Sequence, residues 1–411
     1  MNIAIATPEF VSEAVFDGGL ANYTYKLAKW LISKNHSIVI YIPTKDFNEA
    51  DSFKYENINV VKVKTKDYAW LIKYQLTRFK LGFLISDKLR YQIQFKQYAK
   101  AINKKIKLDH AKNPFDIIHY PHLGGYAYYR PNYIPTIVRL SSSTELCQEM
   151  GGYGSSNLQV EVQAEIEYEA MKKADAVFGP SIKIAALAES KIKKKISIIE
   201  TPYIKPEGSL DITVYNELLK GKKYILFFGS IGLIKGVGTI SQIIYRLLNQ
   251  HPDLYYVFVG KQLNNKINEV DVWDGLINHA GALKNRIIYI PSQKHSTLFP
   301  IIQHAELITL PSRTDNFPNT CIESMANKKI VIGTKGNGFD QLINDGENGF
   351  VIDVDDHLAL LEKINIVLNM SLEEKILMED LSLKRSESLQ PDIVLNSLLQ
   401  LYSDTIKKFK N

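Results

Sequence analysis

Short apolar runs that read as buried strands recur along this chain, each ending in a polar or glycine-rich turn and each followed by residues at helical spacing. Asn2 to Ala6 is the first. After a loop holding Asp17, Gly18 and Gly19 comes LANYTYKLAKWLISKN, where Leu20, Tyr23, Leu27, Trp30 and Leu31 share one helix face. Ser37 to Ile42, Val60 to Val63, Asp116 to His119, Pro135 to Leu140, Asp175 to Phe178 and Ile196 to Ile199 continue the strand series. Strands that alternate with helices predict a parallel sheet covered by helices.

The alternation lapses in TPYIKPEGSLDITVYNELLKGKK, where prolines and glycines replace periodicity, and a linker is expected over roughly 201 to 222. It then restarts with Tyr224 to Phe228, Tyr255 to Val259, Arg286 to Ile290, Leu307 to Leu310, Ile330 to Gly333 and Phe350 to Asp353, and turns helical from about Asp356. A length of 411 residues also favours two domains over one. The expectation is an α/β chain of two Rossmann-like domains facing each other across a cleft, residues 1–205 and 206–391. The C-terminal helix, about 392–411, is expected to cross back to the first.

With 45% hydrophobic and 23% charged residues the chain reads as globular and soluble. Its net charge of +6 favours anionic partners without naming one, and nothing points to nucleic acid. Cys147 and Cys321 lack His or Cys companions at ligand spacing, so neither a disulfide framework nor a metal site is expected. MNIAIATPEF has no basic leader, and no apolar run reaches membrane-spanning length, so the expected location is cytoplasmic. The basic, aromatic-rich stretch from Tyr68 to Leu108 and the run KIKKK at 191–195 leave room for peripheral contact with an anionic membrane. Tyrosines and leucines at helical spacing favour ordinary packing for the former.

Strand ends in open parallel sheets face the ligand crevice, which makes the loops HYPHLGGY and RLSSSTE of interest and His119, His122, Arg139, Ser141 and Ser142 site candidates. The richest stretch is AELITLPSRTDNFPNTCIESMANKKIVIGT, Ala305 to Thr334: a strand, a turn-rich loop, a helix opening near Asn319 and a second strand. A helix start offers unpaired N–H groups and partial positive charge, a seat for a phosphate. Asp315 precedes that seat and Glu323 lies within the helix, with seven residues between them. The same spacing also permits a bland reading, with Thr320 and Glu323 as a capping box and Asp315 as a turn aspartate. Upstream, GSIGLIKGVG places Gly229, Gly232, Gly236 and Gly238 at a strand-to-helix turn with one cation, Lys235.

These motifs together resemble glycosyltransferase family 4, whose fold is the two-Rossmann-domain architecture called GT-B. DNFPNTCIESMA resembles the family's E-G-F-G-x-x-x-x-E-A-M-A, with Asp315 in place of the first Glu. Pro311 to Arg313 resembles the P-S lead-in, NDGENGFVID the pattern D-G-x-N-G-x-x-V, GSIGLIKG the pattern G-R-L-x-x-x-K-G, and GGLANYTYKLAKWL an N-terminal G-G motif. The resemblance is specific over roughly 224 to 353 and looser over 1 to 200. It implies that Glu323 binds the donor ribose, Asp315 the transferred sugar, and Lys235 the diphosphate, with the N–H groups of Asn319, Thr320 and Cys321 around it. Gly18 and Gly19 would approach donor or acceptor from the other domain. Gly229, Ser230, Pro291, Asn316, Phe317 and Pro318 would complete the donor surface, with Arg139 and His119 as further catalytic candidates.

Three positions depart from the family pattern. Ser230 replaces an Arg, with Arg313 or Lys335 as candidate substitutes; Ser141 stands where many members carry His; and TPYIKPE replaces P-N-G-x-D. The implied activity is retaining transfer of a hexose or N-acetylhexosamine from a nucleotide diphosphate sugar to a glycan or lipid-linked acceptor, without a divalent metal, in bacterial cell-surface polysaccharide or glycoconjugate assembly. An epimerase or hydrolase on the same architecture, and a non-catalytic nucleotide-sugar binder, are the alternatives. A nicotinamide dehydrogenase is disfavoured, because no G-x-G-x-x-G with a following acid is present.

Overall fold

The structure is a computed structural model that describes residues 1–11, 19–45, 51–65, 86–150, 156–205, 208–263, 266–267 and 270–410. It divides into two compact units, Met1–Thr201 with Pro391–Asn411, and Pro202–Gln390.

The first unit holds an eight-stranded sheet: β1 (Asn2–Ala6), β2 (Ser37–Thr44), β3 (Ser52–Tyr55), β4 (Ile58–Lys64), β5 (Ile117–Pro121), β6 (Thr136–Arg139), β7 (Ala176–Gly179) and β8 (Ser197–Ile198), in the order β3-β4-β2-β1-β5-β6-β7-β8. All neighbours are parallel except β3 and β4. The hairpin they form turns on Glu56 and Asn57, both at positive φ. The edge strand SFKY went unread because it is largely exposed and its turn lacks glycine.

Helix Gly19–Ser33 buries Tyr23, Leu27, Trp30 and Leu31, four of the five residues whose spacing predicted it. Helix Asp87–His110 buries Ala99, Ile102, Asn103 and Ile106 in the core of this unit, so the packing reading holds for it; residues 66–85 lie outside the described residues. Buried Asn103 is satisfied three ways: its amide donates to the carbonyls of Ala99 and Tyr126, and its Oδ1 accepts from the Tyr120 hydroxyl. Helix Pro391–Lys410 packs on this same unit. Trp30 Nε1 donates to Asp392 at 2.9 Å, and the Tyr402 hydroxyl meets His119 Nδ1 at 2.6 Å.

The second unit holds β9 (Lys223–Phe228), β10 (Leu254–Val259), a small hairpin of β11 (Lys266–Ile267) and β12 (Val270–Asp271), then β13 (Ile287–Ile290), β14 (Leu307–Thr309), β15 (Val331–Thr334) and β16 (Phe350–Ile352). Its main sheet is fully parallel in the order β13-β10-β9-β14-β15-β16, the doubly wound order in which direction reverses between β9 and β14. Apart from the partly exposed edge strand β13, the strands are largely apolar and buried on both faces, which explains why they read as continuous hydrophobic runs rather than alternating ones. Residues 201–222 are not a featureless linker: Thr213–Leu218 forms a helix against helix His295–Gln303, where Tyr215 stacks on His304 at 4.0 Å. No described helix is long and apolar enough to cross a membrane.

Candidate functional site

The loops leaving β9 and β14 flank the reversal of the second sheet, where ligands of doubly wound folds bind. Three glycines let backbone segments there approach more closely than any side chain permits. A Cβ on Gly236 would fall 1.8 Å from the Pro311 carbonyl oxygen, one on Gly260 1.8 Å from that of Gly229, and one on Gly338 2.1 Å from that of Asn316. Gly229 (φ 124°) and Gly236 (φ 77°) also hold left-handed backbone, and Gly236 opens helix Val237–Gln250. Of the four glycines in GSIGLIKGVG these two are the conformational ones. Arg313 N–H donates to the Ile234 carbonyl at 2.8 Å and Gly338 N–H to the Asp315 carbonyl at 3.0 Å, so three strand-end loops are joined into one surface.

On that surface Lys235 Nζ lies 2.5 Å from Asp315 Oδ2, an ion pair whose side chains are 34% and 16% exposed. Helix Asn319–Ala326 begins beside it, with Thr320 Cγ2 3.7 Å from where a Gly229 Cβ would stand. Its cap is Pro318, which has no side-chain acceptor to offer. Thr320 is therefore inside the helix rather than capping it, and the capping-box reading of Thr320 and Glu323 is overturned. The Glu323 carboxylate turns instead to His295, with Oε1 3.1 Å from Nε2. Cys321 N–H is also withdrawn from the expected donor set, because it bonds the Pro318 carbonyl at 3.1 Å. The amides of Asn319 and Thr320 have no backbone acceptor among the described residues, and they carry the helix's partial positive charge.

Phe317 and Pro318 are buried beneath this surface, Asn316 is half-buried, and Ser230 and Pro291 are exposed at the ends of β9 and β13. Arg313, a candidate substitute for the absent Arg at position 230, is held by Asp355 through two contacts, Nε–Oδ1 2.9 Å and Nη2–Oδ2 2.8 Å. Lys335 is exposed just beyond β15. The Cys321 thiol is buried, which raises its pKa, with Asp315 adding to the effect. Two neighbours of Glu323 escaped the sequence reading. His295 opens the helix after β13, a strand-end position that could have flagged it. Tyr203 lies in the presumed linker, and its hydroxyl is pushed up to about 12 by burial and by the Glu323 charge.

In the first unit, Gly19 opens its helix and Gly18 lies outside the described residues. His119 and Arg139 are not in loops: β5 continues two residues past His119, and Arg139 is the last residue of β6. Both are buried. His119 falls to about 3 through burial and then the Arg139 charge, so it stays neutral against Tyr402. His122, with Nδ1 accepting from Ser141 N–H at 3.0 Å, falls to about 3 for the same reasons. Glu167 is buried 4.0 Å from His122 Nε2 and takes bonds from Gly124 N–H, Thr144 Oγ1 and Gln163 Nε2. Burial raises it to about 7 against those bonds.

Residues 214–381 match the family model described as glycosyl transferases group 1. Spore coat protein SA of Bacillus subtilis is 23% identical over 386 residues, covering 90% of this chain and 91% of that protein. The 2-deoxystreptamine N-acetyl-D-glucosaminyltransferase of Niallia circulans is 26% identical over 186 residues, 45% of this chain and 46% of that enzyme. Among solved structures, the sucrose-phosphate synthase of Thermosynechococcus elongatus superposes with a TM-score of 0.76 at 17% identity, covering 99% of both chains. Over residues 214–381 the chain matches the group 1 glycosyl transferases, it is similar to these relatives in sequence, and its two-domain fold is that called GT-B.

Proposed function

We propose that the chain transfers a hexose or N-acetylhexosamine from a nucleotide diphosphate sugar to a glycan or lipid-linked acceptor, with retention of anomeric configuration. The supporting observation is that a cation, a helix start and two carboxylates converge at the strand reversal of the second sheet. Lys235 and the Asn319 and Thr320 amides suit a diphosphate, and they can stabilise the charge that develops on a departing nucleotide. Asp315 precedes that seat and Glu323 lies within the helix, and in this reading they would accept hydroxyls of the transferred sugar and of the ribose respectively. In this reading residues 206–391 hold the donor, and residues 1–205 with the C-terminal helix serve the acceptor. No side chain of this surface is assigned as a covalent nucleophile.

A thermal-shift panel of UDP-, GDP- and ADP-sugars identifies the donor, since a ligand that binds the folded state raises its melting temperature. Product analysis with and without acceptor then reads transfer against epimerisation or hydrolysis, and the anomeric proton coupling of the product reads retention. Glu323→Ala should abolish transfer while the chain still folds. Unchanged turnover in that variant refutes the assignment.

The reading also places the chain in cell-surface glycoconjugate assembly, working in the cytoplasm with peripheral contact at the inner face of the membrane. Helix Ile182–Ile192 and Lys193 to Lys195 supply the basic surface. Salt-sensitive co-sedimentation with anionic liposomes is expected, and its absence removes the membrane from the proposal.

A further inference from the structure

A cavity of about 690 Å³ opens at the amino end of β7, between the close of helix Asn157–Lys173 and the last turns of helix Pro391–Lys410. Cavities at the carboxyl ends of the same sheet hold only about 10 Å³. Ligand sites span roughly 300–1,000 Å³, so the space at the amino end admits a small molecule. It lies wholly within the first unit, at the edge of the sheet opposite the one where ligands of such folds bind.

Four cations line it: Arg130, Lys173, Lys194 and Lys408. Arg130 is committed elsewhere, with Nη2 3.2 Å from Asp175 and Nε donating to the Lys173 carbonyl. Lys194 closes helix Asn157–Lys173 by donating to the carbonyls of Met171, Lys172 and Ala174. Lys173 donates to the Tyr128 carbonyl at 3.1 Å and stands 3.7 Å from the centroid of that ring. None of the three lysines forms an ion pair among the described residues. Burial lowers the Lys194 pKa, and the Arg130 and Lys408 charges add to this against Asp175. Once Arg130 and Asp175 cancel, three lysines share the cavity with one carboxylate, Asp404, an excess of two positive charges.

Cations suit the carbonyl ends of both helices, which accounts for lysines being there. It does not account for the hydrocarbon beside them. Ala174, Ala176, Leu401 and Phe409 complete the lining, so one open cavity combines apolar wall with uncompensated positive charge. Apolar walls carrying a few fixed polar groups are the makeup of a ligand site, and the sign of these groups selects an anion.

We propose that this cavity is a second binding site of the chain and takes a small amphiphilic anion, a phosphate monoester held by Lys173 and Lys408 in the field of Lys194, with its apolar body against Leu401 and Phe409. The site goes beyond the transfer reading, since neither donor nor acceptor occupies it. A soluble phosphate ester and the head of an anionic lipid share this chemistry.

Calorimetric titration of the full chain with inorganic phosphate and with hexyl phosphate tests the site, on wild type, Lys408→Glu, Lys407→Glu and Lys235→Ala. Lys407 and Lys408 are both exposed in the last turn of one helix, and of the two only Lys408 lines the cavity. Hexyl phosphate should bind wild type about tenfold more tightly than phosphate, because its methylenes leave water. Lys408→Glu should weaken that binding by about tenfold or more, whereas Lys407→Glu and Lys235→Ala should change it by less than about threefold. Vesicles of phosphatidylcholine with and without phosphatidic acid separate the sources. Lys408-dependent binding to the phosphatidic acid vesicles assigns a lipid head, and its absence beside hexyl phosphate binding assigns a soluble ester; both support the site. Absence of hexyl phosphate binding in wild type, affinity no better than that of phosphate, equal losses in Lys407→Glu and Lys408→Glu, or a matching loss in Lys235→Ala overturns it. Nucleotide binding retained in the same samples leaves the transfer reading standing when this site fails.

Discussion

His295 Nε2 stands 3.1 Å from Glu323 Oε1, joining the helix that follows β13 to the helix that follows β14. The carboxylate is 12% exposed and the imidazole 37%, so the pair lies at the rim of the surface rather than in the core. A hydrogen bond to a charged group is worth about 1.5–3 kcal/mol, and on the proposed donor reading this one would fix which carboxylate oxygen faces the ribose. His295→Ala is therefore expected to weaken nucleotide binding by about tenfold, about 1.4 kcal/mol. His295→Gln, which keeps a donor, should recover part of that loss. Calorimetric titration of the nucleotide found in the donor panel checks both, and equal affinities for wild type and His295→Ala would remove His295 from the site.

The Lys235–Asp315 pair predicts changes of opposite sign. On the proposed donor reading, a bound diphosphate would compete with the Asp315 carboxylate for the ammonium group that now pairs with it. Lys235→Met should weaken nucleoside diphosphate binding by about tenfold, whereas Asp315→Asn should tighten it by about threefold while reducing sugar transfer. Melting temperatures should change little, since partly exposed pairs contribute about 1 kcal/mol or less. Titrations at two salt concentrations provide the check; tighter binding in Lys235→Met would contradict the competition.

Much of this arrangement is legible in the sequence. Strands buried on both faces announce themselves as apolar runs, and the glycines at 229 and 236 mark a strand-to-helix turn, whereas the spacing of the acids at 315 and 323 fits a capping box as well as a ligand site. Partner choice was not legible. Thr320 to Glu323 satisfies the capping pattern, yet Pro318 occupies the cap and Glu323 finds His295, a partner 28 residues away in sequence. The same limit applies to Arg139 and His119, whose burial depends on Tyr23 and Tyr402 arriving from the first and last helices of the described chain. The exposed strand Ser52–Tyr55 lacks the burial that makes strands readable.

Gly236 carries two constraints at once, positive φ and a contact with the Pro311 carbonyl that leaves no room for a Cβ. Gly236→Ala adds the left-handed backbone penalty to an overpacking cost, about 2–5 kcal/mol together. Gly346, at φ 81° but with nothing within 4 Å of its would-be Cβ, faces the backbone cost alone. Gly346→Ala should therefore lose only about 1–2 kcal/mol. Urea unfolding of the two variants separates steric from conformational cost, and equal losses would show that the approach of the two loops is not tight.

Glu167 sets a pH dependence whose sign follows from its raised pKa. The unfolded chain releases this proton near 4.5, whereas the folded chain holds it to about 7. Between those values the folded state binds more protons, so the contribution of Glu167 is present at low pH and is lost as pH rises toward 7. His119 and His122 act in the opposite sense: lowered from 6.5 to about 3, they bind protons more readily unfolded, so they cost stability as pH falls below 6.5. Within this cluster, two histidines oppose one glutamate between about pH 4.5 and 6.5. Glu167→Gln keeps acceptors for Gly124 and Gln163 but cannot ionise, which removes the opposing contribution. Relative to wild type it should gain stability as pH rises from about 4.5 to 7, by at most about 1.4 kcal/mol per pH unit, and show a steeper loss on acidification. Urea midpoints of both proteins at pH 5, 6, 7 and 8 measure the difference. Parallel curves would show that Glu167 is ionised in the folded chain throughout that range.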